Sequence, residues 1–216
     1  MAAAAQRGES ARRAYAWIRR GIVAGELAPG SMLSENDLAG ALGMSRTPVR
    51  TALGRLQDDG WVTIYPQRGA LVRELTATEI RESAEVRHAM EVAGVLRAST
   101  ERLAALHGPA LENLDEQAAA LGAGDFARFN ELSLAFHRLF VRLSGNGTML
   151  ELYDRVQDRQ LLSNAARAQG IVAAAEDVLA QHRRLQARAW ASDWIGFAEA
   201  LNNHHSIGAA IPAEGC

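Results

Sequence analysis

The sequence predicts a mostly α-helical protein built from two parts. In the first part three short amphipathic helices precede two β-rich runs joined by a turn. In the second part every segment has helical periodicity and the breaks are short, which predicts an all-α antiparallel bundle. With 216 residues, the chain is long enough for one or two domains.

The first two helices are predicted from their apolar spacing and their ends. One face of the first helix carries Ala14, Trp17, Ile18 and Ile22. Pro29 and Gly30 then break the helical pattern. Ser34 is a suitable N-cap for the second helix, because Asp37 follows three residues later, and Gly43 suits its C-terminal end.

The third helix is predicted in "SRTPVRTALGRLQDDG", with Ser45 as its cap. Pro48 falls in the first turn, where no intrahelical N–H bond is lost. An apolar stripe at helical spacing consists of Val49, Ala52, Leu53 and Leu56. After Gly60, the runs "WVTIY" and "ALVRE", joined by "PQRG", predict a β-hairpin. Three helices and a hairpin form a winged helix-turn-helix, placed at residues 10–75 after a disordered tail at residues 1–9.

From residue 76 to residue 208 the pattern predicts six helices after the linker "ELTATE". Their predicted ranges are 78–105, 109–121, 125–143, 148–168, 171–191 and 193–208. The breaks between them are "HGP", "GAGD", "SGNGT", "AQG" and "SD". Residues 209–216 are assigned to a C-terminal tail.

The charge is divided unevenly along a chain whose formal net charge is -2. Residues 1–75 hold 10 arginines against 7 acidic residues, and residues 76–216 hold 13 against 18. A basic first part on an acidic body is typical of a polyanion-binding head. No apolar run approaches the roughly 18 residues that span a bilayer, and no secretory signal is recognisable at the start, so we expect a cytoplasmic protein. Cys216, the one cysteine, fits a reducing compartment.

The charged face of the third helix predicts contact with DNA. Arg46, Thr47 and Arg50 lie opposite the apolar stripe, near the helix N-terminus that meets base edges in known recognition helices. An arginine fork can donate two bonds to guanine or pair with phosphate. Arg68 and Gly69 lie at the predicted hairpin tip, where a wing would follow the minor groove. The alternative is a solvated helix face and a plain exposed turn.

Three histidines on three predicted helices suggest a metal site. If His137, His182 and His204 converge inside the bundle, their imidazoles suit Zn²⁺, Ni²⁺ or a similar ion. The alternative is that each histidine is separately capped or solvated.

The first part resembles the winged-helix domain of the GntR family of bacterial transcription regulators. The resemblance lies in "LSENDLA", in "SRTPVR" with its following leucines and glycine, and in "RGALV". It implies that the DNA-contacting residues are Asn36, Ser45, Arg46, Thr47, Arg50, Arg68 and Gly69. Position 36 is usually a long, polar side chain such as arginine in that family, so Asn36 predicts no strong phosphate contact.

The second part resembles the FCD-type effector domain of the FadR subgroup, in its shorter VanR-like branch. The matching features are "FH", "SGN" and the spaced histidines. The resemblance implies a divalent metal ion, Zn²⁺ or Ni²⁺, on His137, His182 and His204. It also implies an effector site with Arg87, Ser133 and Asn146. Ser133 stands where the family has Asp or Asn, which predicts a weaker metal site. Without the resemblance, Arg87 and Glu91 would be interpreted as a surface ion pair.

These observations predict a ligand-responsive transcription regulator, a repressor and not an enzyme. It would bind a palindromic double-stranded operator as a homodimer and respond to a small carboxylate, with no membrane partner. One alternative is a metal-dependent enzyme that uses the site of His137, His182 and His204. Another is a metal-free scaffold whose histidines only pack.

Overall fold

The computed structural model describes residues 2–165 and 168–210. The chain divides into two compact units. The first takes in the residues up to Thr76 together with the last part of a later helix, from Asp158. The second takes in Ala77–Gln157 and the chain after that helix. Among the described helices, none is long and apolar enough to cross a membrane.

The first unit has the predicted three helices and hairpin, with one additional strand. Its helices are α1 (Ala2–Val23), α2 (Glu35–Leu42) and α3 (Arg46–Asp58), and its strands are β1 (Met32–Leu33), β2 (Val62–Tyr65) and β3 (Gly69–Val72). The strand order is β1-β3-β2, and both pairings are antiparallel. The hairpin of β2 and β3 is therefore confirmed, whereas β1 was not predicted because a two-residue strand has no alternating pattern.

The predicted helix ends of this unit are largely found. The Ser34 side chain accepts a hydrogen bond from the Asp37 backbone N–H, and Gly43 ends α2 at a φ of 59°. Ser45 occupies the N-cap of α3 but makes no side-chain capping bond. Helix α1 begins at Ala2, so it includes most of the stretch that the sequence assigned to a disordered tail. The core side chains are Ile18, Ile22, Val49, Leu53, Leu56 and Trp61.

The second unit is all-helical across the residues described. Its helices are α4 (Ala77–Leu96), α5 (Thr100–Gly122), α6 (Phe126–Arg142), α7 (Gly147–Ala165), α8 (Ala168–Trp190) and α9 (Trp194–Ala210). The residues of α7 from Asp158 onward belong to the first unit. The predicted break at "HGP" is wrong: α4 ends earlier, and Ser99 caps α5 by accepting from the Arg102 N–H. Pro109 lies inside α5. Of the predicted tail at 209–216, residues 211–216 lie outside the described residues.

The core of this unit is aromatic and centres on α6. Phe136 packs edge-on against Phe140, with ring centroids 4.9 Å apart, and Phe140 packs in the same way against Phe197. Helix α4 approaches α6 closely at Gly94, where a Cβ atom would overlap the carbonyl oxygen of Phe140. Because Gly94 has no side chain, the two helices can approach closely, and the polar residues of α4 lie near those of α6.

Candidate nucleic-acid interface and metal centre

A concave surface of the first unit is lined by residues of α2, α3 and the β2–β3 turn. Five of the seven predicted DNA contacts border it, and we call these five the recognition face: Asn36, Arg46, Arg50, Arg68 and Gly69. The side chains of Ser45 and Thr47 are also exposed, at the start of α3. The apolar stripe of α3 is buried on the other side, so the helix presents its arginines outward.

Two of the three arginines of α3, Arg46 and Arg50, are held by side chains of α2. The Arg46 Nη1 donates to the Asn36 Oδ1 at 3.3 Å. Arg50 pairs with Glu35 through two contacts, Nε to Oε1 at 2.9 Å and Nη2 to Oε2 at 2.7 Å. The hydrogen bond from Arg50 lowers the pKa of Glu35. Sequence reasoning missed Glu35, although its place in "LSEN" beside Asn36 was visible.

The tip of the hairpin depends on a glycine. Gly69 has a φ of 113°, and a Cβ there would overlap the Leu33 carbonyl oxygen of the neighbouring strand. Arg68 directly precedes it and is exposed, and its N–H closes the turn onto the Tyr65 carbonyl oxygen at 3.0 Å. The strand pairing thus fixes where Arg68 leaves the sheet.

In the second unit, the structure brings together the three predicted histidines. His137 on α6, His182 on α8 and His204 on α9 have ring centroids 4.9–5.0 Å apart. We call them the histidine cluster. His137 and His182 are buried, and His204 is partly buried. The three residues offer ligand atoms that all lie within 4.8 Å of one another.

Each histidine of the cluster donates its Nδ1–H to a side-chain oxygen. His137 donates to Glu91 Oε2, His182 to Gln117 Oε1 and His204 to Gln181 Oε1, each at 2.7 Å. Because carboxylate and amide oxygens only accept, the proton of each ring is on Nδ1. The lone pair of each neutral ring is therefore on Nε2.

The orientation of Gln117 follows from its neighbours. The backbone carbonyl of Leu132 can only accept, so the amide nitrogen of Asn113 faces it, at 3.2 Å. The Asn113 oxygen then accepts from Gln117 Nε2 at 2.7 Å, which turns the Gln117 oxygen toward His182. The tautomer of His182 is thus fixed by a chain of hydrogen bonds that ends on the backbone.

This arrangement fits a divalent metal ion. The Nε2 atoms of His137 and His204 are 3.0 Å apart, and the buried Nε2 of His182 has no hydrogen-bond partner among the described residues. Two lone pairs at that separation repel unless a cation lies between them. Two imidazoles on one tetrahedral zinc ion have nitrogens about 3.3 Å apart. Burial lowers the pKa of His137 and His182 well below its usual value and that of His204 to about 4, so protons do not fill this role at neutral pH.

Arg87 and Glu91 are buried, which contradicts the surface ion pair that spacing alone suggested. Their side chains are 4% and 0% exposed, and Arg87 Nη2 lies 3.3 Å from Glu91 Oε1. Tyr153 on α7 donates to the same oxygen at 2.7 Å. Burial by itself lowers the pKa of Arg87, but its attraction to Tyr153 and Glu91 outweighs this and raises it. Arg87 therefore already has a carboxylate partner inside the protein.

The other predicted effector residues have different surroundings. Ser133 is partly buried on α6, one helical turn before His137 and on the same helix face. Asn146 is exposed, and its Oδ1 accepts from the Met149 N–H at the start of α7. A helix-capping role accounts for Asn146, and its role in effector binding stays a prediction.

His205 follows His204 in the sequence and lies beside Glu91 in the structure. Its Nε2 is 3.8 Å from Glu91 Oε1, and its side chain is 8% exposed. Within the described residues, neither of its ring nitrogens has a hydrogen-bond partner. Glu91, His137 and His205 form a second possible metal-binding group. Because Arg87 already contacts Glu91, a cation is less favoured there than at the histidine cluster.

A winged helix with exposed arginines, in a chain that also has an all-helical unit with a buried histidine cluster, is typical of DNA-binding regulators with a second, helical domain. Residues 10–72 match the model of the family described as bacterial regulatory proteins, gntR family. Residues 82–206 match the FCD domain. The chain belongs to the GntR-type transcription regulators that carry an FCD domain.

Individual proteins agree with this assignment. The chain is 32% identical over 130 residues to the HTH-type transcriptional repressor RspR of Escherichia coli K12, a match that covers 60% of this chain and 57% of RspR. The match between this chain and a second curated relative also covers less than two thirds of that protein's length. These families and relatives are transcription regulators, and they give the metal-dependent enzyme no support.

Two solved structures support the fold. One is a GntR transcriptional regulator from Rhodococcus sp. RHA1, with a TM-score of 0.79 at 24% identity, covering 93% of this chain and 95% of that one. The other is the metal-free FCD domain of TM0439, with a TM-score of 0.52 at 25% identity, covering 64% of this chain and 94% of that one.

Proposed function

We propose that this protein is a ligand-responsive repressor that binds a palindromic DNA operator as a homodimer. The observation that carries the proposal is the recognition face, where Arg46, Arg50 and Arg68 border one concave surface. Arginines on this kind of helix read guanine and pair with phosphate. The repressor role is supported by the name of RspR, and the palindrome follows from the two-fold symmetry of a dimer.

Each predicted residue has a distinct role in this proposal. Arg46 and Arg50 read base edges, while Ser45, Thr47 and the N–H groups at the start of α3 bind phosphate. Asn36 orients Arg46 and makes no strong phosphate contact of its own. Glu35 engages Nε and Nη2 of Arg50, which leaves the Nη1 edge directed away from the ion pair. Arg68 lies along the minor groove, and Gly69 permits that close approach.

The second unit is proposed to bind a divalent metal ion and a small carboxylate. Nε2 atoms of His137, His182 and His204 would hold Zn²⁺ or Ni²⁺. The bound ion would supply a positive charge and an open coordination position that suits a carboxylate. Ser133, a neutral residue on the same face of α6 as His137, and His205, whose ring nitrogens have no hydrogen-bond partner among the described residues, are proposed to contact the effector. An effector carboxylate at Arg87 would have to share that guanidinium with Glu91.

Effector binding changes operator affinity only if the effector prefers one arrangement of the protein over another. Couplings of this kind are typically about 1–3 kcal/mol, or roughly 5–150-fold in affinity. The segment "ELTATE", whose last three residues form the start of α4, is proposed to carry the change by resetting the spacing of the two winged helices on the half-sites.

Selection of DNA from a random pool tests the proposal without knowledge of the operator. The purified full-length chain is mixed with random duplexes, and bound fragments are amplified and sequenced over several rounds. The proposal expects a palindromic motif. The control is the Arg46→Ala, Arg50→Ala double variant, which should enrich no motif. Failure of the wild type to enrich a motif, or equal enrichment by the double variant, would refute DNA reading by this face.

A further inference from the structure

We propose that Glu91 is a positioning residue of the metal site, which acts through His137 and supplies the negative charge that Ser133 does not. The inference rests on the proposed metal centre at the histidine cluster. It adds a residue from a helix that contributes none of the three histidines. It also accounts for a buried carboxylate that the DNA-binding function does not use.

The geometry places Glu91 directly behind one metal ligand. Its carboxylate is fully buried, and Oε2 accepts from His137 Nδ1 at 2.7 Å. In metal sites, a carboxylate at this position fixes the ring orientation and makes the opposite nitrogen a stronger ligand. The Nε2 of His137 is that opposite nitrogen, and it faces the other histidines.

Among the three residues that accept from the Nδ1 atoms of the histidine cluster, Glu91 differs from the other two in charge. Gln117 and Gln181 accept from His182 and His204 at the same 2.7 Å distance, so all three partners do the same geometric work. The two glutamines are neutral amides, whereas Glu91 is an acid. Of these three partners, Glu91 alone can bring negative charge toward the metal ion.

The residues around Glu91 orient its carboxylate. Tyr153 donates to Oε1 at 2.7 Å, and Arg87 Nη2 lies 3.3 Å from the same oxygen. Both therefore engage Oε1, while Oε2 accepts from His137. The Arg87–Glu91 pair is consequently a dipole whose negative end faces the metal site. A carboxylate at position 133 would bring its charge to the ion directly, and Glu91 brings its charge through one imidazole.

A double-mutant cycle on zinc affinity tests the proposal. Metal-free full-length protein is titrated with Zn²⁺ against a chelating dye, for the wild type, Glu91→Gln, Ser133→Asp and the double variant. Glutamine still accepts from His137 but carries no charge, so Glu91→Gln should weaken zinc binding by roughly 10–100-fold. Ser133→Asp should tighten it. In the Ser133→Asp background the loss caused by Glu91→Gln should be smaller, because the ion already has a carboxylate.

Two controls separate charge from folding. Glu91→Gln leaves Arg87 buried without its charged partner, so the pair variant Arg87→Met, Glu91→Gln removes both charges. Circular dichroism shows whether it folds, and its zinc affinity should fall as in Glu91→Gln. Gln181→Glu makes the reverse change behind His204 and should tighten binding.

Each outcome bears on a separate statement. Unchanged zinc affinity in folded Glu91→Gln or in the pair variant overturns the role of Glu91 and leaves the metal centre standing. Equal losses from Glu91→Gln in both backgrounds show that Glu91 does not compensate for Ser133, which also overturns the proposal. If the wild type binds no zinc, the metal centre fails and the role of Glu91 fails with it.

Discussion

An Arg–Glu pair lies at the proposed site of each unit, and the two pairs differ in exposure. On the recognition face, the Arg50 side chain is 65% exposed and that of Glu35 is 26% exposed. Inside the helical unit, Arg87 and Glu91 are 4% and 0% exposed. The exposed pair has the shorter contact, 2.7 Å against 3.3 Å, so distance alone does not distinguish them.

The difference in solvent determines what each pair can do. An exposed pair contributes little to stability, because water screens it and solvates both partners when they separate. Arg50 can therefore exchange contacts for a DNA base at small cost. A buried pair is expensive to break, because the remaining charge has no solvent. Arg87 and Glu91 therefore form a fixed part of the site, and the His137 ring that Glu91 orients is held in place.

The largest effect is expected from breaking the buried pair. Arg87→Met should destabilise the helical unit by roughly 3–5 kcal/mol, because it leaves the Glu91 charge buried. The matched change Arg50→Met should cost far less, because water solvates both partners of the exposed pair. Hydrogen exchange read by mass spectrometry, with protection followed separately in α3 and α4, makes the comparison. Similar losses of protection in the two variants would remove the distinction between the pairs.

A loss of stability at acid pH is expected in the helical unit of the metal-free protein. Burial lowers the pKa of His137 and His182, and that of His204 to about 4, whereas unfolded histidine titrates near 6.5. Below about pH 6.5 the unfolded chain binds protons that the folded chain does not. The free energy of unfolding therefore falls as the pH falls, by up to about 1.4 kcal/mol per pH unit for each histidine. Thermal melting between pH 7.5 and pH 4.5 measures this. A flat profile would show that the cluster is not buried in its neutral form.

On the recognition face, single arginine changes should cost about 1–3 kcal/mol in operator binding. Arg46→Ala and Arg50→Ala each remove a base contact, so the loss should be specific to the selected motif. Arg68→Ala should weaken binding to all sequences more evenly, because a wing contact is mainly to the backbone. Gel shifts on the selected motif and on a scrambled duplex compare the two losses. Equal losses on both duplexes for Arg46→Ala would assign it to phosphate instead.

The smallest expected effect concerns Glu35. Glu35→Gln should change stability by about 1 kcal/mol or less, because the pair is exposed. It should strengthen binding to the scrambled duplex, since a negative charge near the phosphates is removed. The ratio of the affinities for the selected motif and for the scrambled duplex should fall, because Arg50 is less firmly oriented. If this ratio is unchanged, Glu35 does not position Arg50.

Local pattern predicted most of the first unit, although it missed β1 and the early start of α1. The apolar stripe of α3, the cap at Ser34 and the hairpin were predicted because each depends on neighbours within a few residues. The predicted break at "HGP" was misplaced because Pro109 was taken to start a helix, while Ser99 marks the real start and Pro109 lies inside α5.

The environment of the histidines was beyond local pattern. The spacing of His137, His182 and His204 showed that they could meet, but the partners Glu91, Gln117 and Gln181 come from helices whose approach depends on packing, as at Gly94. An i, i+4 Arg–Glu pair has the same sequence on a surface and in a core. The burial of Arg87 and Glu91 could therefore not be read from their spacing.

The most direct test of the account is to measure zinc binding and operator binding on the same protein preparations. We expect about one zinc ion per chain both in the wild type and in the double variant Arg46→Ala, Arg50→Ala. Operator binding should be lost only in this double variant. We expect the reverse for the double variant His137→Ala, His182→Ala. This variant should lose zinc binding and should bind the operator as tightly as the metal-free wild type does. A wild type that takes up no zinc, or a double-arginine variant that keeps full operator affinity, would contradict the account.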